Sequence, residues 1–169
     1  MTTETLQRTD ERSNEQGLPW DVSELAPRQL LLQYIDELLA TIEWDNPNVV
    51  AFEGKHPDFR PRMSLRLLAF AYAVGVFSSE DVVEGCYQDD VLRSICEGDP
   101  PTARAITAFR RENRGVLQWL LVEVFKQAIR HQLQIDDFLL TPGLKRYLAD
   151  SATGRIDIAR HMDRGAREE

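Results

Sequence analysis

The stretch Pro61–Phe77, PRMSLRLLAFAYAVGVF, is apolar on almost every side when wound on a period of 3.6 residues. A helix of that kind has little face to offer water, so it predicts a central helix buried on most of its surface. Gly75, near its end, predicts either close packing or the start of an exit turn. The rest of the chain supplies amphipathic neighbours. The run APRQLLLQYIDELLATIEW places Pro27 at a first helical position and repeats apolar side chains at Leu30, Leu31, Tyr34, Ile35, Leu38, Leu39 and Ile42. Ser78 followed three residues later by Asp81 fits a capping box opening the helix SEDVVEGCYQ. After a break at Gln88–Asp90, VLRSIC reads as a short helical turn. VLQWLLVEVFKQAIRHQL reads as a long helix with Leu117, Leu120, Leu121, Val124, Phe125 and Ile129 toward the core.

No segment shows convincing strand alternation, and the fold class expected is all-α, a compact multi-helix domain with a helix-turn-helix-like core. Residues 1–18 are polar, lack hydrophobic periodicity and predict a disordered tail. The helical domain is expected over 19–135, with Asn46-Pro47, Gly54 and Pro57 marking a loop that has room for one short extended piece. Residues 136–169 are expected to form a partly flexible helical extension. Turn signals at Thr141-Pro142-Gly143 and Thr153-Gly154 divide it into two short helices, near 143–150 and 155–163.

Charge narrows the function. The formal net charge of -8 argues against a uniformly basic nucleic-acid binder. The sign is unevenly spread, however. Residues 1–54 hold three arginines against eleven acids, while residues 101–130 hold Arg104, Arg110, Arg111, Arg114, Lys126 and Arg130 against Glu112 and Glu123. That basic region begins with PPTARAITAFRRENR, where Thr102 can cap a helix after Pro100 and Pro101. On the helical period Ile106, Phe109 and Asn113 share one side, and Arg104, Thr107, Arg111 and Arg114 an adjacent one. Guanidinium forks at this spacing can grip phosphates or the O6/N7 edge of guanine, so Arg104, Thr107, Arg110, Arg111 and Arg114 are the candidate DNA-binding residues. Arg110 borders the buried side, where pairing with an acid of the fold is the alternative. For the whole face, the alternative is a solvated amphipathic helix.

Other chemistry is sparse. Cys86 and Cys96 are separated by nine residues, fit no zinc or thioredoxin-type spacing, and read as buried reduced thiols. His56, His131 and His161 are scattered, so neither a metal nor a cofactor is expected. Ser78 and Ser79 read as a cap rather than a nucleophile, and Asp89-Asp90 as a helix junction rather than a metal site. Trp119 reads as core, while Trp20 and Trp44 leave stacking open. No run is apolar for the ~18 residues a membrane helix needs and no signal-peptide core opens the chain, so a cytoplasmic protein is expected.

The order of these elements resembles the N-terminal helical domain of bacterial insertion-sequence transposases with a DDE catalytic core. Pro61, Met63, Leu67, Leu68, Tyr72 and Gly75 match that family's Leu-rich helix; Ser78 and Ser79 match its Ser pair and Asp89 and Asp90 its acidic segment. Pro101, Ile106, Phe109, Arg110 and Asn113 fall where it carries Pro, Ile, Phe-Arg and Asn, with Ala105 in place of a Thr. The likeness covers roughly residues 24–133. It implies a domain that engages double-stranded DNA, in that family the terminal inverted repeats, and that helps assemble protomers. Two departures accompany it. The catalytic sheet with its Asp-Gly-Thr strand has no counterpart, because Asp136 and Asp137 precede FLLTPG and the chain reaches Glu169 without the three metal-binding carboxylates. Glu80-Asp81 also stands where a basic residue is usual. The function expected is therefore a stand-alone, non-catalytic DNA-binding protein. The alternative is an all-α interaction module that forms a homodimer or partners a full-length transposase without touching DNA.

Overall fold

The computed structural model describes residues 18–50, 60–134 and 141–168. Among them the chain forms seven α-helices and no strand, in agreement with the all-α expectation: α1 (Arg28–Leu39), α2 (Pro61–Ala73), α3 (Ser79–Gln88), α4 (Asp90–Ile95), α5 (Ala103–Glu112), α6 (Arg114–Leu133) and α7 (Pro142–Glu168). A single 3-10 turn, Val22–Glu24, precedes them. Of the tail expected at 1–18, residues 1–17 lie outside the described residues, as do His56 with most of its loop, Asp136 and Asp137, while Leu18 is described and buried in the core.

The predominantly apolar helix is the centre. Nine of the thirteen residues of α2 are buried, including the large side chains Leu65, Leu67, Leu68, Phe70 and Tyr72, and α1, α4, α5 and α6 all pack on it. Burying such side chains stabilises by roughly 1.5–3 kcal/mol each. The helix ends as its glycine suggests. Gly75 takes φ +88°, and the Val76 amide reaches back to Ala71 O at 2.9 Å, the long bond of a Schellman motif. A Cβ on Gly75 would stand 3.0 Å from the carbonyl oxygen of Trp20, so the turn and the neighbouring backbone both call for glycine.

The caps form where the sequence puts them. Ser78 Oγ accepts from the Asp81 amide at 3.0 Å, and Thr102 Oγ1 from the Ala105 amide at 3.1 Å. Asp89 is the joint between α3 and α4. It accepts from the Val91 and Leu92 amides at 2.9 and 3.1 Å and pairs with Arg28 at 2.6 Å, which fastens α1 to that junction. Close packing of α3 on α4 is set by Gly85, where a Cβ would come within 2.6 Å of Leu92 Cδ1. Cys86 and Cys96 are both buried and unbridged, and burial together with the neighbouring Cys96 thiol pushes Cys86 up to about 12.

Two expectations are corrected. The C-terminal segment is one helix of 27 residues rather than two short ones. Gly154 costs a helix interior about 1 kcal/mol, but Leu148, Ala152, Ile156 and Ala159 form an unbroken buried stripe across it, and α7 packs along α6. That burial outweighs the glycine. Trp119 is the second correction: it is 40% exposed and lines a groove of about 560 Å³ with Ile42, Val49 and Val116. A smaller difference is that α1 stops at Leu39, leaving Ile42 partly buried in the turn beyond it.

Candidate functional site

Helix α5 carries the basic stripe, and its position against α7 decides what each side chain can reach. Ile106, Phe109 and Arg110 are its buried residues, the i, i+3, i+4 face of an amphipathic helix. Arg110 is 4% exposed and turned inward, with Nη1 2.6 Å from Asp163 Oδ2 on α7, 3.3 Å from Tyr72 Oη and 3.5 Å from Ser79 Oγ. Asp163 also accepts from the Ser79 amide at 2.8 Å and from Ser79 Oγ at 2.6 Å. Thr107 joins the same cluster: its hydroxyl can donate to Ala103 O at 3.0 Å or Asp163 Oδ2 at 3.2 Å, and its oxygen lies 3.1 Å from Ser79 Oγ.

The electrostatics follow from this arrangement. Burial pushes the Asp163 carboxyl upward, but the hydrogen bonds from Ser79 and the Arg110 charge together outweigh it and hold the carboxyl below its usual range. Burial alone would lower Arg110, and Tyr72 with Asp163 raise it instead. Tyr72, enclosed beneath them, is pushed up to about 12 by burial. Arg110 therefore stays a cation and Asp163 an anion at neutral pH, as parts of one satisfied interior network.

The remaining arginines stand at the rim. Arg111 has a side chain 72% exposed and only a 3.9 Å approach to Glu112. Arg114, at the start of α6, pairs with Asp157 of α7 at 2.7 Å. Arg160 and Arg164 come from α7 itself, and with Thr107, Arg110, Arg111 and Arg114 they line a groove of about 230 Å³ between α5 and α7. Arg104 is exposed on the first turn of α5 and does not line it. Of the five residues expected to act together, four thus meet at one groove, two of them engaged in the interior network. Arg160 and Arg164 were missed by sequence reasoning. Their i, i+4 spacing puts both on one helical face, a signal cut off where the second short helix was expected to end at 163, one residue before Arg164.

Five guanidinium groups around a space below the ~300 Å³ of ordinary small-molecule pockets suit an oxyanion better than a drug-sized ligand. Guanidinium forks bind phosphate oxygens in bidentate fashion. Among the described residues no group of three His, Cys, Asp or Glu side chains is placed to hold a metal ion, and no helix is long and apolar enough to cross a membrane.

Arg155 anchors the groove's second wall and has no counterpart in sequence reasoning. It is 3% exposed and faces backbone rather than a carboxylate: Nη1 donates to Trp20 O at 2.7 Å and Tyr72 O at 2.6 Å, and Nη2 to Pro19 O at 2.7 Å. Its guanidinium carbon lies 5.0 Å from the Phe125 ring centre. Tyr72 contributes one of the unpaired C-terminal carbonyls of α2, so the cation meets the negative end of that helix. Burial draws Arg155 down to about 10. The contact fixes α7 to α2 and to residues 19–20.

Compared with family models, curated proteins and solved structures, the chain matches none of them.

Proposed function

We propose that this chain is a stand-alone, non-catalytic DNA-binding protein that holds the phosphate backbone of duplex DNA in the arginine groove between α5 and α7. The observation that carries the proposal is the convergence of Arg111, Arg114, Arg160 and Arg164 from three helices on one small groove. Because Arg110 faces the interior and α7 covers part of α5, the contact proposed runs along phosphates rather than into base edges. The net charge of -8 repels a polyanion at long range, so binding is local, modest and sensitive to salt. Derivation from an insertion-sequence transposase is part of the same proposal, and terminal repeats of such elements are the first duplexes to try.

Fluorescence anisotropy with labelled repeat and random duplexes at 50 mM salt tests it. Binding that weakens on replacing Arg111 or Arg160 by alanine is expected; absence of salt-sensitive binding to any duplex overturns it. A second reading, a protein-interaction module, draws on the Trp119 groove. Dimers in light scattering that survive the arginine substitutions but not Trp119→Ala would favour it.

A further inference from the structure

Arg114 and Arg160 come from different helices yet lean on one carboxylate oxygen, Asp157 Oδ1, at 2.7 and 3.7 Å. The two acids beside the groove are not equivalent. Asp163 is 10% exposed and held by Ser79 and Arg110, whereas Asp157 is 41% exposed and held only by guanidinium groups themselves 41% and 50% exposed. Exposed pairs of that kind are weak and exchange readily with solvent ions. An anionic oxygen between two guanidinium groups stands where a phosphate oxygen would stand. Arg111, on the same groove, has its side chain largely free to add a further fork.

We propose that the groove is a phosphate oxyanion site and that Asp157 is its built-in competitor. Asp157 holds Arg114 and Arg160 apart from solvent anions while the groove is empty, and a phosphate group displaces it by taking over both guanidinium groups. This rests on the DNA-backbone reading for the site's location, but concerns the phosphate group itself, whether carried by DNA or free. The device also explains why an acid pairs with two of the groove's arginines: it raises the threshold for binding, so that only an anion offering several oxygens at once replaces it.

The test compares wild type with Asp157→Asn and, as an equal change of net charge, Asp150→Asn, which lies about two turns earlier on α7. Asp157→Ala serves as a second variant, and circular dichroism checks that all are folded. Two probes are titrated at 50 mM salt: inorganic pyrophosphate and a labelled 20-base-pair duplex. Removing one negative charge a few ångströms from the bound phosphate is expected to tighten pyrophosphate and duplex binding about fivefold, against less than twofold for Asp150→Asn. If Asp157→Asn leaves both affinities unchanged or weaker while wild type binds duplex in a salt-sensitive way, the competitor is overturned and the DNA reading stands. Tighter pyrophosphate binding with no duplex bound by any variant supports the phosphate site and overturns the DNA reading. Failure of every protein to bind either probe overturns both.

Discussion

Replacing Asp163 removes the charge through which α7 is tied to two other helices, and its effect is best read as a double-mutant cycle with Arg110. Asp163 accepts from the Ser79 amide at 2.8 Å, Ser79 Oγ at 2.6 Å and Arg110 at 2.6 Å. In Asp163→Asn one oxygen becomes an amide donor facing donors, and Arg110, 4% exposed, is left as a buried cation with only hydroxyl partners. Breaking a buried pair from one side costs about 3–5 kcal/mol; with Asp163 at the edge of the interior we expect about 3. Arg110→Met removes the cation but leaves Asp163 its two bonds from Ser79, for a loss of about 2 kcal/mol. Both variants lose the same pair, so the double variant is expected to lose about 3 rather than 5 kcal/mol, a coupling of about 2. Urea denaturation followed by circular dichroism at 222 nm, with unchanged slope, measures each corner. Losses that add to within about 0.5 kcal/mol would refute the coupling and with it this account of how α7 is held.

Three further outcomes follow from the same contacts. Because folding holds the Asp163 carboxyl below its ordinary value of 3.8, its stabilisation is complete above that value and disappears as pH falls through the lower folded one; the acid limb of urea stability should be shallower in Asp163→Asn than in wild type. Gly75→Ala, at φ +88° and 3.0 Å from a backbone oxygen, should cost about 2 kcal/mol in the same assay, and an unchanged midpoint would contradict the turn described for the end of α2. Arg155→Met should cost about 3 kcal/mol: it strands carbonyls of Pro19, Trp20 and Tyr72, and the burial penalty visible in the fall to about 10 offsets part of that loss. A neutral or stabilising result would show that the cation does not hold α7.

What the sequence made legible was local. The apolar residues on almost every side of Pro61–Phe77 identify the central helix because no arrangement short of burial suits them, and Ser78 and Thr102 mark helix starts because their oxygens bond to amides three residues away. Continuity of α7 was not legible, since a Thr-Gly turn signal is read within a few residues while the stripe that overrides it spans Leu148 to Ala159 and needs α6 as its partner. Trp119 was misjudged although the period warned against it: two residues from Leu117 it points some 200° away from that core position. Arg155, Asp157 and Asp163 escaped for a different reason. Apart from the local Asp157–Arg160 contact, the partners that give them meaning lie 43 or more positions away, at Arg114, Ser79, Tyr72 and Trp20, and charged side chains carry no hydrophobic period by which to infer such meetings.

The central claim is that guanidinium groups of the α5–α7 groove neutralise DNA phosphates. The most direct measurement is the slope of log K against log salt for duplex binding, taken on wild type and on Arg111→Ala/Arg160→Ala. Each neutralised phosphate contributes about -0.9, so three or four contacts predict a slope near -3 for wild type and a value less steep by about 2 for the double variant. Binding with the same slope in both proteins, or no salt-dependent binding in wild type, would contradict it.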